Sequence, residues 1–397
     1  MSNTIFILAG LIITLGFLGN YLFKKKGIPD NLLLISFGII LGPVFHLLEP
    51  SGFRNIAPIF TNLALLIILF DGGMSLNLYK VMEESPKAVI LGVINFVLSM
   101  VLTTAFTSIV LKWELLHGLL LGAIIGGTSS SIVLPLARKM DIPERVITLL
   151  SLESVFTDAI VIVVSITLLD LITEVKAATL IVVAQSIVSS FSIGMVLGLV
   201  FGVIWIKFLS VMKIESYDDI LTLSLTILFY GVTEIVGGNG AIFSLVFGLV
   251  MGNAYEIGGI FRMEGIVEIS GIMRKFMSQM SFFIRTYFFV YLGLILFIEK
   301  RFTIVYSIAI SLLLLFSRYL AVSLTSLKDS ELSKYNMLIT SMLPRGLAAA
   351  IMAQLVASSG IPNASIYLDV ILIIIITTVI ISSIASSIIH REDKLNK

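Results

Sequence analysis

The sequence predicts an all-α protein that crosses a membrane many times, as about 13 transmembrane helices. Of its 397 residues, 58% are hydrophobic and only 13% are charged, and the mean hydropathy is +1.09. A soluble domain is usually about 25% charged. Apolar runs of about 20 residues, long enough for a helix to cross the hydrocarbon core, recur along the chain, whereas the strands of a membrane barrel would be about 10 residues long.

Charged and Gly- or Pro-rich connectors divide these runs into thirteen predicted spans. Their limits are 4–23, 31–48, 56–72, 86–111, 115–137, 146–170, 177–209, 217–236, 239–254, 277–298, 302–325, 336–358 and 366–389. The first run has no basic residue before it and no small-residue cleavage site after it. We therefore expect it to be a retained span and not a signal peptide.

The distribution of Lys and Arg predicts how the spans are oriented. If the connector Lys24–Lys26 is cytoplasmic, eighteen basic residues lie on that side and five on the other, and Arg285, Arg318 and Arg345 lie within spans, which accounts for all 26. Basic residues are enriched in cytoplasmic connectors. We therefore predict a multi-pass inner-membrane protein with its N-terminus outside and its C-terminus in the cytoplasm.

Two segments suggest an inverted repeat. Residues 34–43 align without gaps on residues 244–253, with an offset of 210 that matches Phe37, Gly38 and Gly42 to Phe247, Gly248 and Gly252. They lie in spans two and nine, which would run in opposite directions. The same offset carries the polar break of span five, Gly126–Ser131, to span twelve, which has its own break at Thr340–Gly346. Paired breaks predict two discontinuous, crossed helices around a midplane cation site, although the glycine match alone could be a chance match.

Ionisable side chains inside a membrane are costly and are therefore candidates for function. Span six carries the strongest set. On a helix, Ser154 and Asp158 share one face and Thr157 lies beside them, which gives an all-oxygen cluster of the kind that suits Na+ or K+. Glu153 is about 140° away from Asp158 and is better placed to hold a neighbouring helix.

A buried carboxylate can be neutralised by a proton or by a cation, so the two compete for Asp158. If the site crosses the membrane only when loaded, this competition is sufficient for obligatory exchange. The alternative is that Asp158 forms a structural ion pair with an arginine.

Three arginines and two further acids complete the set of residues within spans. We expect Arg345, beside the break of span twelve, to pair with Glu153, and Arg318 with Asp71 is a second candidate pair. Arg285 lies in an aromatic span and either approaches the site or extends to an interface. Glu234, near a span end, is interpreted as a wetted loop residue.

Four motifs, in this order along the chain, resemble those of the cation:proton antiporters: Leu69–Gly73, Gly127–Ser129, Glu153–Ala159 and Pro344–Ala349. The resemblance is greatest to the NhaP-type Na+/H+ antiporters of bacteria and archaea, relatives of the animal Na+/H+ exchangers, and extends over essentially the whole chain. It implies that Asp158 binds both cation and proton, with Ser154 and the Thr128 backbone as further ligands, and that Glu153 and Arg345 form the adjoining ion pair.

The resemblance also implies a homodimer. A core of spans four to six and eleven to thirteen, residues 86–172 and 302–390, would move like an elevator against an interface domain, residues 1–76 and 177–298, with a short cytoplasmic tail at 391–397. The position before the aspartate is usually Asn in this family and Asp in electrogenic relatives. Thr157 keeps an oxygen ligand without a second titrating carboxylate, so we expect electroneutral exchange of one proton per cation.

The predicted activity is therefore antiport of Na+, or of K+ or Li+, against H+, with the lipid bilayer and a second copy as partners. The main alternative is a Na+-coupled symporter of an organic anion on a related fold, which would not need Asp158 beside Glu153. A cation channel or an intramembrane enzyme is less favoured, because neither a repeated filter loop nor a nucleophile with a base is visible. The near-neutral charge of +1, the scattered histidines and the absence of cysteine point to no nucleic acid, no resident metal or other cofactor, and no disulfide.

Overall fold

The computed structural model describes residues 2–26, 29–48, 57–76, 86–138, 140, 142–174, 180–212, 217–260, 271–296, 301–327, 329–362 and 364–395. Every regular element within these ranges is helical, which confirms the predicted all-α class. Residues 396 and 397 of the predicted tail lie outside the described residues. So do several basic residues on which the predicted orientation rests: Arg54, Lys80, Lys139, Lys176, Lys213, Arg262, Lys300, Lys328 and Lys397.

The helices of the first half of the chain follow the predicted spans one to six. They are α1 (Ser2–Lys26), α2 (Asp30–Ile39), α3 (Ala57–Ser75), α4 (Pro86–Phe106), α5 (Leu115–Ile124), α6 (Ser130–Ala137) and α7 (Glu144–Glu174). Helices α2 and α4 each end in a π-helical turn, Ile40–Val44 and Thr107–Leu111. Pro43 lies inside the first of these turns, where its missing N–H disrupts the regular hydrogen-bond ladder.

The helices of the second half follow the predicted spans seven to thirteen. They are α8 (Leu180–Met212), α9 (Asp218–Ile235), α10 (Gly240–Gly252), α11 (Ala254–Ile260), α12 (Gly271–Ile295), α13 (Arg301–Ser326), α14 (Ser330–Lys334), α15 (Asn336–Ser341), α16 (Leu347–Ser358) and α17 (Ala364–Leu395).

Six of the described helices are long and apolar enough to cross a membrane alone: α1, α4, α7, α8, α13 and α17. The pair α10 and α11, bent by 82°, is a seventh candidate. Helices α2, α3, α5 and α16 are apolar but shorter. Helix α5 and helix α16 are short because each belongs to a predicted span that is interrupted, so neither half reaches the length of a whole crossing.

The chain forms two compact units. The first consists of Met1–Pro58, Ser85–Thr173 and Thr286–Lys397, and the second of Ile59–Glu84 and Glu174–Arg285. The first unit contains both interrupted spans.

The second unit is built around a close approach of α3 and α10. A β-carbon on Gly73 would meet the Leu245 carbonyl oxygen, and one on Gly248 would meet the Phe70 carbonyl oxygen. Around this contact lies an apolar cluster that includes Phe243 and Phe247. Small residues let membrane helices pack closely, since apolar side chains alone give little drive for association in lipid.

The carbonyl ends of α3 and α10 are satisfied by polar side chains of the second unit. Arg274 donates to the Met74 carbonyl at 3.0 Å and to the Gly252 carbonyl at 2.7 Å. The side-chain amide of Asn253 donates to the Leu76 carbonyl at 2.7 Å. These donors supply what the last turn of a helix lacks.

The first unit repeats this glycine contact between α2 and the C-terminal part of α12. A β-carbon on Gly38 would meet the Val290 carbonyl oxygen, and one on Gly293 would meet the Ile35 carbonyl oxygen. Elsewhere in the unit α4 packs against α5 and α13, and α17 packs against α13 and α16. The hydroxyls of Ser99 on α4 and Ser317 on α13 share a buried hydrogen bond of 2.9 Å.

A charged cluster ties the start of α4 and the start of α7 to the segment after α13. Asp329 accepts from Lys87 and, at 2.7 Å, from Arg145, which also pairs with Glu331. The other oxygen of Asp329 caps α14 by accepting from the backbone N–H groups of Glu331 and Leu332. The hydrogen bond from Lys87 is the main cause that holds the pKa of Asp329 well below its usual range.

We expect Asp329→Asn to lower the melting temperature, because it keeps the capping oxygen and removes the negative charge that Lys87 and Arg145 share. A carboxylate with a lowered native pKa contributes stability above its unfolded pKa and loses it as pH falls through the native value. The difference from wild type should therefore be present at neutral pH and shrink in acid, and salt should reduce it because Lys87 and Arg145 are 42% and 49% exposed.

The measurement is differential scanning fluorimetry in detergent, at low and high salt and across pH. The matched control is Asp219→Asn at the start of α9, where the side chain bonds to the backbone N–H of Ile220. Equal melting temperatures for Asp329→Asn and wild type at neutral pH and low salt would contradict the assigned role of the cluster.

Candidate functional site

The site is built where two interrupted helices meet. Helix α5 ends at Ile124 and α6 begins at Ser130, and α15 ends at Ser341 and α16 begins at Leu347. The two breaks are joined directly, because the backbone N–H of Ser129 donates to the carbonyl of Pro344 at 2.8 Å. Gly346 is also close, since a β-carbon there would collide with the Ser129 side chain. Both breaks therefore lie where the sequence predicts them, at glycine-rich and proline-containing segments.

A fully buried ion pair holds α7 against α13. Arg318 donates from Nη1 to Oε1 of Glu153 at 2.6 Å and from Nη2 to Oε2 at 3.0 Å, and both side chains are 0% exposed. This two-point geometry is the strong form of an arginine–carboxylate contact. The Nε of Arg318 donates to the Ile339 carbonyl at 3.2 Å, which ties the pair to α15 as well.

The expected pairing of Glu153 with Arg345 is therefore wrong. Arg345 instead donates from Nη1 to the carbonyl of Gly127, and its backbone N–H donates to Thr378 at 3.1 Å. It is fully buried, and its Nε and Nη2 have no hydrogen-bond partner among the described residues. The sequence places Arg345 correctly at the break of span twelve, but the break turns the guanidinium toward the backbone of span five.

The expected pairing of Arg318 with Asp71 is also wrong, since Arg318 is occupied by Glu153. Asp71 lies in the second unit, where it is hydrogen bonded to Ser281 and interacts electrostatically with Arg285. Arg285 also has its guanidinium 5.8 Å from the centre of the Phe282 ring. Arg285 thus contacts residues of its own helix and of α3.

Glu234 is exposed in the last turn of α9, which fits the expected wetted position, and it also makes a specific contact. Its Oε1 accepts from the backbone N–H of Gly240 at 2.7 Å, which bridges the end of α9 to the start of α10.

A buried polar network links the break of span five to α7. The hydroxyl of Thr128 donates to Oε1 of Glu153 at 3.2 Å and lies 3.0 Å from the hydroxyl of Ser154. Because a hydroxyl has one hydrogen, Ser154 is then the donor to Thr128. Thr157 accepts from the backbone N–H of Thr128 at 3.2 Å and donates to the Ser154 carbonyl at 3.2 Å.

Asp158 lies beside this network and is half-buried. Its Oδ2 accepts from the hydroxyl of Ser130 at 3.2 Å, and it also interacts with the backbone N–H of Ser130, the first residue of α6. The N-terminus of a helix interacts favourably with an anion. Among the residues that the structure describes, Asp158 forms no ion pair, so its carboxylate is not committed to an arginine.

The structure thus brings Thr128, Ser154 and Thr157 together and places Asp158 next to them through Ser130. The available ligands are hydroxyl, carbonyl and carboxylate oxygens, which suit a hard monovalent cation. In the described part of the chain, no group of three or more His, Cys, Asp or Glu side chains lies together.

Two residues of this region were missed by the sequence reasoning about the site. Ser130 belongs to the polar break but was not selected as a partner of Asp158. Asn95 is a fully buried amide on α4, and it donates to the Gly126 carbonyl at 3.3 Å. An amide in the middle of a largely apolar span was the available signal, because a polar side chain in lipid has to find a partner.

We expect Arg318→Met to be strongly destabilising, because it leaves the Glu153 carboxylate buried and unpaired. Breaking one side of such a pair typically costs about 3–5 kcal/mol, whereas replacing both partners by neutral groups costs much less. The double variant Glu153→Gln, Arg318→Met should therefore melt at a higher temperature than Arg318→Met alone. Arg138→Met, an exposed arginine of the same unit, is the control. A double variant less stable than either single variant would show that the pair is not the buried unit described here.

The chain is similar to several known proteins. The family model described as sodium/hydrogen exchanger, transmembrane, matches residues 10–391. A protein named K(+)/H(+) antiporter NhaP2 from Shewanella sp. strain ANA-3 is 28% identical over 380 residues, which is 92% of this chain and 63% of the relative. A probable Na(+)/H(+) antiporter 2 from Methanocaldococcus jannaschii is 29% identical over 283 residues, 68% of this chain and 64% of the relative.

The structure of the sodium proton antiporter MjNhaP1 from Methanocaldococcus jannaschii has the same fold. Its TM-score is 0.80 at 22% identity, over 96% of this chain and 97% of that one. The chain spans about 63% of the length of the first curated relatives it matches. With its long apolar helices it is a multi-pass membrane protein. Since one family model covers nearly its whole length, the chain belongs to the transmembrane sodium/hydrogen exchanger family, and the resemblance inferred from the four motifs is confirmed.

Proposed function

We propose that the protein is a secondary antiporter that exchanges Na+, or K+ or Li+, for H+ across the cytoplasmic membrane. The observation that carries this proposal concerns Asp158, whose half-buried carboxylate lies beside an interrupted helix. This carboxylate forms no ion pair within the described residues. Membership of an exchanger family supplies the class of reaction. The names of the relatives include both K+ and Na+, so the choice of ion is an experimental question.

Proton and cation exclude each other at Asp158 in this mechanism. The cation is held by the Asp158 carboxylate with oxygens from Ser154 and Thr128, and a proton on the carboxylate removes the charge that the cation needs. Glu153 is a less suitable site, because Arg318 already compensates its charge. One titrating carboxylate per site gives one proton per cation, which makes the exchange electroneutral.

The thirteen-span inverted repeat is part of this proposal, and the two glycine contacts support it. Each contact in the pair α2–α12 has an equivalent in the pair α10–α3. Gly38 faces the Val290 carbonyl, as Gly248 faces that of Phe70. Gly42 faces the Leu294 carbonyl, as Gly252 faces that of Met74. Gly293 faces the Ile35 carbonyl, as Gly73 faces that of Leu245. Positions on α2 and α10 differ by 210 and those on α3 and α12 by 220 throughout. Chance similarity of two apolar helices would not reproduce partner carbonyls at constant offsets.

Movement of the core as an elevator within a homodimer is the transport step that we propose, with the N-terminus outside and the C-terminus in the cytoplasm. It is supported by the direct bond between the two breaks, Ser129 to Pro344, which couples both interrupted helices to one site. A loaded site that moves as a unit needs no separate gate for each ion.

We expect Asp158→Asn to abolish cation-dependent proton flux while the protein remains folded. The amide has no negative charge to attract a cation, and it does not take up a proton. The measurement is dye-reported proton movement in proteoliposomes on addition of NaCl, KCl or LiCl, with melting temperature and gel-filtration profile as checks of folding. Asp170→Asn, on the same helix three turns away, is the matched control and should retain flux. Sustained exchange by Asp158→Asn would remove the site assignment, and a requirement for an organic cosubstrate would indicate a symporter.

Competition at one carboxylate also predicts how the apparent KM for the cation depends on pH. On the acid side of the site's titration, KM should rise about tenfold for each unit that pH falls, with little change in maximal rate at saturating cation. The measurement is the initial rate of exchange against cation concentration at several pH values. A KM that does not change with pH, with the rate falling instead, would mean that proton and cation bind together.

A further inference from the structure

The backbone of the span-five break is held from both sides by groups that are not cation ligands. Asn95 donates from Nδ2 to the Gly126 carbonyl at 3.3 Å, and Arg345 donates from Nη1 to the carbonyl of the next residue, Gly127. The two following N–H groups are also engaged, that of Thr128 by Thr157 and that of Ser129 by Pro344. Four polar groups of the interrupted backbone, two carbonyls and two N–H groups, are thus fixed by neighbouring elements.

Not every polar group of the break is engaged in this way. Among the described residues, the carbonyl of Thr128 accepts no hydrogen bond, although the carbonyls of Gly126 and Gly127 before it and of Ser129 after it all do. A carbonyl in this position is free to bind a cation, and its direction is set by the peptide units on either side of it.

Asn95 lies on the face of α4 that borders the site. One turn before it, a β-carbon on Gly92 would lie 3.0 Å from Thr157 and 3.5 Å from Glu153. The amide is fully buried, and its Oδ1 has no hydrogen-bond partner among the described residues. The carbonyl of Gly126 accounts for the orientation of the amide, since an amide turned the other way would put two oxygens together. A buried acceptor without a partner is costly, so a hydrophobic residue would be the more stable choice here if packing were the only requirement.

We propose that Asn95 is a positioning residue for the transported cation: it holds the Gly126 carbonyl away from the ion and thereby sets the direction in which the Thr128 carbonyl is presented. This inference rests on the proposed function. Its consequence is for affinity and selectivity, because the coordinating oxygens that replace a cation's hydration shell determine which cations a site accepts. Asn95 acts through the backbone and does not itself touch the ion.

The test compares Asn95→Leu, which has a similar volume and no donor, with Ser99→Ala. Ser99 is one turn further along the same face of α4, is also fully buried, and bonds to Ser317 and not to the break. In proteoliposomes, Asn95→Leu should raise the apparent KM for the preferred cation about tenfold and alter the ratio of KM values for Na+, K+ and Li+, with a smaller effect on the maximal rate. Ser99→Ala should leave KM and the ratio unchanged. A merely structural role for Asn95 would lower the maximal rate through loss of folded protein and leave KM unaltered, and that result would overturn the proposal.

Two further arms keep the inference separable from the proposed function. If Asn95→Leu is not recovered as a folded protein, Asn95→Ala carries the same expectation. The increase in melting temperature on adding NaCl, KCl or LiCl reports cation binding without transport. If wild type shows no exchange but is stabilised by a cation, the proposed function fails, while loss of that stabilisation in the Asn95 variant still supports the positioning role. Equal stabilisation of wild type and the variant would overturn it.

Discussion

An interrupted helix in a membrane has to satisfy its open backbone groups internally, since lipid offers no hydrogen bonds. The rest of the site depends on how this requirement is met. The two breaks are tied to one another by Ser129 with Pro344 and by Arg345 with Gly127, and to surrounding helices through Asn95 and Thr157. Hydroxyls of α17 complete the set, as Ser382 and Thr378 accept from Leu343 and Arg345. Polar residues of three helices, α4, α7 and α17, are thus committed to backbone, and the residues left for an ion are few.

Of the two carboxylates of the site, Glu153 has an arginine partner and Asp158 has none among the described residues. Glu153 and Arg318 neutralise each other through two hydrogen bonds and simultaneously fasten α7 to α13 and α15. Such a pair gains little net stability over apolar packing and is better understood as fixing which helices meet. Asp158 is one turn further along α7, outside the pair. The two carboxylates differ in role because they point in different directions from one helix: side chains five residues apart meet different neighbours.

Much of this arrangement was predictable from the sequence. Length and hydropathy located the helices, and the runs Gly126–Gly127 and Pro344–Gly346 located the interruptions, because glycine and proline act on the backbone locally. The oxygen cluster on α7 followed from helical periodicity. Arginine partners were not predictable: Arg318 and Arg345 are both in the second half of the chain, and only tertiary packing decides which of them reaches Glu153. The contact of Asn95 was not predictable for the same reason. Its acceptor is a backbone carbonyl, and every residue has one, so the sequence does not indicate which carbonyl it meets.

The glycine contacts have a consequence for how this protein can change over time. At most buried positions a larger residue can be accommodated when a neighbouring side chain becomes smaller, so that two substitutions arise as a compensating pair. At Gly38, Gly73, Gly248 and Gly293 the opposing atoms are backbone, which no substitution can shrink. A change at one of these positions has no second-site remedy in the facing helix, so these four sites should stay fixed in lineages where the surrounding apolar residues exchange freely.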